Sequence, residues 1–381
     1  MNFEFSEEQA MVVAGARDFS REKIAPAAAQ YDERQEVNLE ALRELGRLGY
    51  LGMTVPEEYG GTGLGAVAYV GAMIEFSKAD SGVSVAVSVQ NSLVNDAVMM
   101  FGTEEQKKLF LPKLAAGEWL GCFSLTEAGA GSDPGSLRAS AVRDGDHFVL
   151  NGTKNFTTNG GFADVIIAFF QTDKDKGAKG ISAFLLRNDI PGFAVGKHEN
   201  KLGIRSSSTT EMVFCDCRVP ASTLLGQENK GLSVALATLD CGRLGIAAQA
   251  VGIAEAALDE SVKYAKERVQ FGKKLAEFQA IQFMLADMAT EVEVAKTMLY
   301  RVAAMKDAKT KKFTKESAMV KLFAAEMSHR VCHKALQVHG GYGYMKDYKV
   351  ERLYRDQRIT EIYEGTSEIQ RVVISRAVLG D

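Results

Sequence analysis

The sequence is poor in cysteine, proline and tryptophan, and no charge of one sign dominates it. Among 381 residues there are 5 cysteines, 6 prolines and 1 tryptophan. A small, odd number of cysteines in so long a chain argues against a disulfide framework and for a reducing compartment. The 45 basic and 49 acidic residues leave a net charge of -4, so no field of one sign attracts nucleic acid or an anionic membrane.

Long hydrophobic runs are also missing. Strongly apolar stretches such as "VIIAFF" (165–170) fall far short of the roughly 18 residues that span a bilayer. The amino terminus, "MNFEFSEEQA", carries acidic side chains and lacks the apolar core of a signal peptide and the arginine bias of a transit peptide. We therefore expect a chain that starts near Met1, no membrane helix and, by default, a cytoplasmic location.

The hydrophobic period divides the chain into three parts. Residues 1–119 repeat apolar residues at helical spacing, with Ser6 as the N-cap of the first helix and a helix buried on all sides in "SGVSVAVSVQNSLVNDAVMMFG". Residues 120–226 change to short alternating runs, with a hairpin at the Asp-Gly pair 144–145. Residues 227–381 return to the helical period in three long amphipathic segments, which indicates an antiparallel bundle. The predicted fold is α+β, mostly α, with a middle β barrel or sandwich.

Three patterns resemble binding motifs but favour ordinary structure. "GGTGLGA" (60–66) has dinucleotide-fingerprint spacing, but the preceding "TVPEEY" does not predict a strand. Cys215 and Cys217 lie two apart in a predicted strand and should face the same way, yet no second cysteine pair lies nearby, so ordinary thiols are favoured over a metal pair. "EMSHRVCH" aligns a glutamate and two histidines, Glu326, His329 and His333, where a metal would need carboxylates from other helices. We therefore expect no metal.

The segment "RITEIYEGTSEIQR" (358–371) holds one carboxylate, Glu364, between an apolar-aromatic pair and a glycine. Ser367 and Gln370 have capping-box spacing, so a helix is predicted to begin near Glu368, with Glu364 in the turn before it. A ligand that desolvated this carboxylate would raise its pKa toward neutrality, as a general base requires. On this stretch alone, a solvated turn glutamate is the simpler interpretation.

Four other segments carry residue types that bind ligands. "CFSLTEAGAGSDPGS" (122–136) is a glycine-rich loop after a strand, and its hydroxyls and amides can hold a polar ring edge or a phosphate. "KNFTTNGG" (154–161) puts an aromatic ring beside a threonine and an asparagine. "ERVQFGKKL" offers a cation and a flat ring at a helix end, and "LQVHGGYGY" adds a glutamine and paired glycines where backbone can approach a ligand.

Together these segments resemble the acyl-CoA dehydrogenase family, and the resemblance runs the whole length of the chain in the right order. The motifs "LTEAGAGSD", "KNFTTNGG", "RVQFGK", "QVHGGYGY" and "IYEGTSEIQ" are weak singly and very specific jointly. The resemblance implies an N-terminal helical domain, a middle β domain and a C-terminal four-helix bundle. It also implies an FAD enzyme that desaturates acyl-CoA thioesters between the carbons alpha and beta to the carbonyl.

The resemblance further implies the role of each site residue. Glu364 would remove the alpha proton while the beta hydrogen leaves as hydride to the flavin, and its N–H, with a flavin ribityl hydroxyl, would polarise the thioester carbonyl. The residues that would bind FAD from the same chain are Thr126, Ser132, Phe156, Thr158, Thr366 and Glu368. Those that would reach the FAD of a neighbouring subunit are Arg268, Phe271, Gln337 and Gly341. The substrate and its CoA part would contact Ser132, Asp240, Arg243, Tyr363 and Gly365.

Departures from the family pattern refine the subtype. Some branched-chain and long-chain members carry their base at the position of Gly242, where glycine cannot serve. Members that act on glutaryl-CoA have an arginine where this chain has Ser84, which disfavours a dicarboxylate substrate. Phe156 replaces a commoner tryptophan and Ala128 a common proline, and His339 stands where an aromatic residue is frequent, with no role assigned.

The leading function is therefore a short-chain, butyryl-CoA type dehydrogenase that passes electrons to an electron-transferring flavoprotein, as a homotetramer built as a dimer of dimers. One alternative is a dehydrogenase for a branched or alicyclic thioester such as cyclohexanecarboxyl-CoA, or an enzyme that works in the cell as an enoyl-CoA reductase. An alternative of another class is a non-catalytic helical scaffold. The scaffold predicts a colourless protein, and the enzymes predict a yellow one.

Overall fold

The structure is a computed structural model that describes residues 5–310 and 312–380. The N-terminal part is helical, and Ser6 caps the first helix as predicted, its hydroxyl accepting from the N–H of Gln9 in a reciprocal capping box. The helices of this part are α1 (Glu7–Phe19), α2 (Ala28–Arg34), α3 (Leu39–Arg47), α4 (Gly65–Ala79), α5 (Ser81–Ser88), α6 (Asp96–Phe101) and α7 (Glu104–Ala115).

The predicted buried helix consists of α5, a π-helical segment (Val89–Asn95) and α6, and residues 81–98 are all buried. Its two asparagines satisfy backbone groups of the loop after α3. Asn91 donates to Tyr50 O at 2.9 Å and accepts from Met53 N at 2.9 Å, and Asn95 donates to Leu51 O at 2.7 Å. These bonds explain why polar side chains are tolerated inside an apolar helix.

The middle part is a curled seven-stranded sheet in the order β1-β4-β2-β3-β7-β6, with β5 paired to β4. The strands are β1 (Gly121–Ser124), β2 (Ser140–Asp144), β3 (His147–Thr158), β4 (Val165–Gln171), β5 (Ile181–Arg187), β6 (Phe193–His198) and β7 (Thr209–Pro220). The predicted hairpin joins β2 to β3, where Asp144 pairs with His147. Alternate residues of β4 face the helices and the inside of the sheet, so "VIIAFF" is buried on both sides.

The prediction that Cys215 and Cys217 face the same way is wrong. Between Phe214 and Cys217 the register of β7 against β3 shifts, and Asp216 has a φ of 50°. A β-bulge adds one residue and breaks the alternation of side chains, so Cys215 is exposed while Cys217 is buried. Among the described residues no group of cysteine, histidine and acidic side chains could hold a metal ion, the predicted Glu326 and His329 included.

The C-terminal part is a helical bundle in which α8 is central. Its elements are α8 (Gly231–Glu267), β8 (Val269–Gln270), β9 (Lys273–Lys274), α9 (Gln279–Asp307), α10 (Thr314–His339), α11 (Lys349–Gln357) and α12 (Ser367–Leu379). A side chain at Gly252 of α8 would meet Ser77 and the backbone of Ile74, so glycine lets α8 approach α4 closely. By length and hydropathy α8 alone among the described helices could cross a bilayer, but most of its apolar window is buried in the protein.

The glycines of "GGTGLGA" lead into α4 without a preceding strand. The N–H groups of Ala66 and Val67 at the start of this helix donate to the carboxylate of Asp307, at 2.6 and 3.0 Å. The helix terminus therefore already has its anion, and a side chain at Gly65 would collide with it. This agrees with the interpretation that the fingerprint spacing is accidental.

Candidate active site

Glu364 lies in the turn between a short 3-10 helix (Arg358–Glu361) and α12. Glu364 and Gly365 both have positive φ, 52° and 91°. The side chain of Gln370 donates to the carbonyls of Glu364 and Gly365, at 3.1 and 2.9 Å. A non-glycine residue in this region of φ and ψ is held by its surroundings, which here fix the direction of the carboxylate and of the N–H.

The cap of α12 differs from the prediction. The N-cap is Thr366, whose hydroxyl accepts from Ile369 N at 3.3 Å, and α12 begins at Ser367. The Ser367 hydroxyl is buried and has no partner among the described residues. Gln370 has turned its side chain to the strained carbonyls, so it cannot complete a capping box. The Thr366 hydroxyl, assigned to FAD from the resemblance, is already engaged, and Glu368 lies exposed on the first turn.

The carboxylate of Glu364 is desolvated by the protein itself. Its Oε2 is buried and has no hydrogen-bond partner among the described residues. Burial raises the pKa of Glu364 to about 7, while the charges of Lys321 and Arg243 act in the opposite direction. The sequence predicted a pKa near neutrality with the help of a ligand, and the fold alone produces it. Such a group can take a proton near neutral pH.

Gly242 of α8 faces this carboxylate. A Cβ built on Gly242 would lie 3.0 Å from Cδ of Glu364, closer still to Oε2, and 2.8 Å from Cδ2 of Leu93. Any side chain at position 242 would therefore occupy the space that the Glu364 carboxylate uses. The geometry agrees with the prediction that only Glu364 of these two positions carries the base.

The two residues assigned to CoA form an ion pair beside Glu364. Arg243 is buried, and its Nη1 lies 2.6 Å from Oδ1 of Asp240. The other Asp240 oxygen accepts from the Thr314 hydroxyl at 2.5 Å. The Nε of Arg243 is buried without a partner among the described residues. A polar group of a ligand could satisfy this nitrogen.

Tyr363 points away from solvent into a neutral polar cluster. Its hydroxyl donates to Oε1 of Gln249, whose Nε2 donates to Ser81 O at 2.9 Å and to the Ser84 hydroxyl at 3.2 Å. Gln249 and both serines are buried. Ser84 is thus engaged with neutral partners and brings no positive charge to this cluster.

The residues assigned to the flavin lie on the middle domain around the loop after β1. The N–H of Asn155 donates to Thr126 O at 2.8 Å, which ties the loop to β3. A register shift in β3 accompanies a φ of 57° at Phe156, and this ring is 62% exposed. Thr126 and Thr158 are half-buried, and Ser132 is exposed on the loop. The bulge turns an aromatic face outward where a flat ring could stack.

The buried ion pair of Lys154 and Glu127 holds this loop from inside. Lys154 is fully buried, and its Nζ lies 2.7 Å from Oε1 of Glu127. The same carboxylate accepts from the N–H groups of Arg138 and Ala139, at 2.7 and 3.0 Å. The sequence gave no sign of this pair, because both residues stand in motifs whose glycines and hydroxyls dominate the interpretation.

The residues assigned to the FAD of a neighbouring subunit gather at the far end of the bundle. Arg268, Gln337 and Gly341 line a cavity of about 530 Å³, and an added Cβ at Gly341 would meet no atom within 4 Å. Phe271 stands 94% exposed at the tip of the β8–β9 hairpin. An open backbone, a cation and an exposed aromatic ring suit a dinucleotide.

This cavity is far from Glu364 within one chain. The stretch of α8 from Gly242 to Tyr264 is about 33 Å long and that of α10 from Lys321 to His339 about 27 Å, at 1.5 Å per residue. His339, to which the sequence assigned no role, is buried, stacks on Tyr264 at 4.3 Å and has its Nδ1 2.8 Å from Ala335 O. Burial lowers the pKa of His339, so it acts as a neutral ring beneath the cavity.

Sequence profiles of one family cover nearly the whole chain. The profiles described as acyl-CoA dehydrogenase N-terminal, middle and C-terminal domains match residues 6–118, 122–217 and 229–379. The chain belongs to the acyl-CoA dehydrogenase family. It has the acyl-CoA dehydrogenase fold and is a flavoprotein oxidoreductase that acts on acyl-CoA with FAD as its cofactor. The resemblance drawn from the motifs, the fold class and the cofactor are thereby confirmed.

Several relatives of this acyl-CoA dehydrogenase are named for their substrates. The short-chain specific acyl-CoA dehydrogenase of Clostridium acetobutylicum is 47% identical over 98% of this chain and 99% of its own. A caffeyl-CoA reductase–Etf complex subunit of Acetobacterium woodii is 44% identical over 98% of this chain and 99% of its own. The structure of butyryl-CoA dehydrogenase from Megasphaera elsdenii superposes with a TM-score of 0.98 at 44% identity and covers 100% of both chains. The enzyme is of the short-chain type.

Proposed function

We propose that this enzyme desaturates a short straight-chain acyl-CoA, with butyryl-CoA as the reference substrate, and that Glu364 is its base. The observation that carries the proposal is the Glu364 carboxylate: it is buried, its Oε2 is unpartnered among the described residues, and its pKa is raised to about 7. A carboxylate that must only accept a proton needs a free oxygen and a pKa near the working pH.

The backbone of the same turn supplies a second function. No hydrogen bond among the described residues uses the N–H of Glu364. This N–H can donate to the thioester carbonyl and stabilise the negative charge that develops there when the alpha proton leaves. Because one residue with a fixed φ of 52° carries both groups, base and donor keep a constant geometry.

The residues of the middle domain fit the flavin. The exposed ring of Phe156, the half-buried hydroxyls of Thr126 and Thr158, and the exposed hydroxyl of Ser132 border one face of the sheet. FAD, when bound, supplies the acceptor for the beta hydrogen, which leaves as hydride. The chain's part is to hold the substrate between this acceptor and the Glu364 carboxylate.

The buried pair of Asp240 and Arg243 is proposed to hold the CoA part, with Ser132 reaching it from the middle domain. Tyr363 and Gly365 would border the acyl chain. The neutral cluster of Tyr363, Gln249 and Ser84 offers no cation to a distal carboxylate, and an unpaired buried carboxylate is costly. A dicarboxylate such as glutaryl-CoA is therefore disfavoured.

The second dinucleotide-type cavity supports a homotetramer, arranged as a dimer of dimers, in which FAD is shared between subunits. Arg268, Phe271, Gln337 and Gly341 lie roughly 27–33 Å along the helices from Glu364, too far to serve the same reacting centre directly. We expect an electron-transferring flavoprotein as electron acceptor, because one relative is a subunit of a complex with such a protein. A cytoplasmic location fits these partners.

A second candidate is the reverse reaction, reduction of an enoyl-CoA in the cell, and it is favoured by the relative named as a caffeyl-CoA reductase subunit. The same residues serve both directions, because a group that takes the alpha proton in one returns it in the other. A branched or alicyclic thioester remains the alternative for the acyl chain. The direction is decided by the reduction potential of the enzyme-bound pair and by the partner.

The test is anaerobic mixing of the purified yellow enzyme with butyryl-, isobutyryl-, glutaryl- and cyclohexanecarboxyl-CoA while the flavin absorbance is followed. Fast bleaching with butyryl-CoA alone is expected. Bleaching only with a branched or cyclic thioester would keep the mechanism and change the substrate, and a protein without flavin would favour the scaffold. Reoxidation of the reduced enzyme by crotonyl-CoA in the same cell measures the reverse direction.

The base is tested by E364Q, which keeps the size of the side chain and removes its ability to take a proton. We expect normal flavin content and substrate binding but a bleaching rate roughly 10² to 10⁴ lower. E361Q is the matched control, because Glu361 precedes the same turn but pairs with Arg358. Full activity of E364Q would remove Glu364 as the base.

A further inference from the structure

Lys321 is a fully buried lysine beneath the turn that carries Glu364. It lies on α10, 44 residues before Gly365 in the sequence, and its Nζ donates to the Gly365 carbonyl at 2.7 Å. Neither the sequence motifs nor the functional assignments above use it. An ammonium group that has lost all contact with water needs compensation by carbonyls and by negative charge.

The bond to Gly365 completes the support of a strained segment. Together with the two bonds from Gln370, it places three donors on the consecutive carbonyls of Glu364 and Gly365. Both residues have positive φ, and one of them is not a glycine. A segment with this geometry persists only where its surroundings fix it, so these donors help to fix the direction of the Glu364 N–H and carboxylate.

The charges around Lys321 come from every element packed against it. Glu364 is the strongest negative influence, Arg243 on α8 opposes it, and Glu361 and Glu368 add negative charge from either side of the turn. Burial lowers the pKa of Lys321 to about 8, so the group is still charged at neutral pH. From the other side, Lys321 is the largest opposing influence on the raised pKa of Glu364.

We propose that Lys321 is a positioning residue for Glu364: its bond to the Gly365 carbonyl holds the turn, and its ammonium charge keeps the buried carboxylate in the ionised form that accepts a proton. Gln370 supplies only neutral donors, and Arg243 is already paired with Asp240 at 2.6 Å. Lys321 is the nearby cation with no carboxylate of its own within salt-bridge distance among the described residues. The catalytic half of this proposal rests on the proposed function of Glu364.

The first test reads the Glu364 carboxyl directly and needs no turnover. Infrared spectra of the holoenzyme are recorded against pH, and the Glu364 band is identified by its absence in E364Q. In K321M, which keeps the length of the side chain but has neither charge nor donor, we expect the carboxyl to stay protonated to a pH about one unit higher than in wild type. K321R should titrate close to wild type, because it keeps both the charge and a donor.

K349M is the matched control. Lys349 also donates to a backbone carbonyl inside the protein, that of Lys78 at 2.6 Å, but it lies on α11. Loss of this bond should leave the titration of Glu364 unchanged. If K321M does not fold, K321Q replaces it, since a glutamine removes the charge and can keep a donor. An unchanged titration of Glu364 in the folded variant would overturn the proposal.

The second test measures the rate of flavin bleaching by butyryl-CoA against pH. In K321M the acidic limb of the profile should move upward by the same amount as the titration, so that the rate on this limb falls about tenfold per unit. K321R should restore the limb, whereas a merely structural role of Lys321 would lower the rate equally at all pH values. If E364Q bleaches as wild type does, the proposed function fails, while the infrared titration still decides the role of Lys321.

Discussion

Replacement of Gly242 by alanine tests the idea that the space in front of α8 belongs to the Glu364 carboxylate. The added methyl group would lie 3.0 Å from Cδ of Glu364 and 2.8 Å from Cδ2 of Leu93. Ordinary contacts between such atoms are about 3.5–4.0 Å. The carboxylate must therefore move by roughly 0.5–1 Å, and it can do so because it is the free end of a side chain.

The expected losses in stability and in rate differ. Overpacking costs about 1–3 kcal/mol, and alanine in place of glycine within a helix returns about 0.5–1 kcal/mol. The free energy of unfolding should therefore fall by no more than about 2 kcal/mol. A displacement of about 1 Å at the reacting group costs on the order of 10²-fold in rate, or roughly 2.7 kcal/mol of barrier. G242A should be a folded, yellow and slow enzyme.

The assay is the anaerobic rate of flavin bleaching by butyryl-CoA, with urea unfolding of the same samples. G252A is the control on the same helix, since its methyl group would meet Ser77 and the rigid backbone of Ile74 instead. We expect G252A to lose more stability, while its flavin-loaded fraction bleaches at the wild-type rate. A G242A enzyme with the wild-type rate would refute the assigned position of the carboxylate.

Three further outcomes are expected. R268A should lose flavin content or assembly, measured by absorbance and by gel filtration, while any flavin that it retains bleaches normally. D307A should lower the free energy of unfolding in urea by about 1–2 kcal/mol, because the first N–H groups of α4 lose their anion. Folding raises the pKa of Glu364 from 4.5 to about 7, so the native state binds the extra proton and wild type should lose stability relative to E364Q as pH rises through this interval. The loss is at most roughly 3 kcal/mol by 1.36 kcal/mol per unit, and a constant difference across this interval would contradict the raised pKa.

The elements that the sequence predicted depend on neighbours in the chain. Ser6 caps α1 because its hydroxyl reaches an N–H only three residues on, and the hairpin of β2 and β3 closes between adjacent strands. The period of 3.6 or 2 residues likewise reports which face of one element is buried. The order of helical, sheet and helical parts followed from these signals, and the joint motifs pointed to the family.

The errors arose where the choice between neighbouring residues depends on tertiary contacts. Ser367 and Thr366 can both cap a helix, and Thr366 does so because Gln370 is engaged by the carbonyls of the preceding turn. Alternation in β7 predicted a common face for two cysteines, but one residue at a φ of 50°, Asp216, shifts the register. A period cannot reveal an inserted residue, since the insertion leaves the local composition unchanged.

The environment of Glu364 shows most clearly what the sequence could not supply. A lysine in an amphipathic helix predicts a solvated face, yet Lys321 is fully buried, because the turn that it supports comes 44 residues later. Gly242 precedes Glu364 by more than a hundred residues and marks the space for the carboxylate only once α8 and the turn are packed together. The identity of the base could be inferred from a motif, but its working pKa is the sum of burial, Lys321 and Arg243. A change in any of these three should therefore alter the pH dependence of the enzyme without touching the glutamate itself.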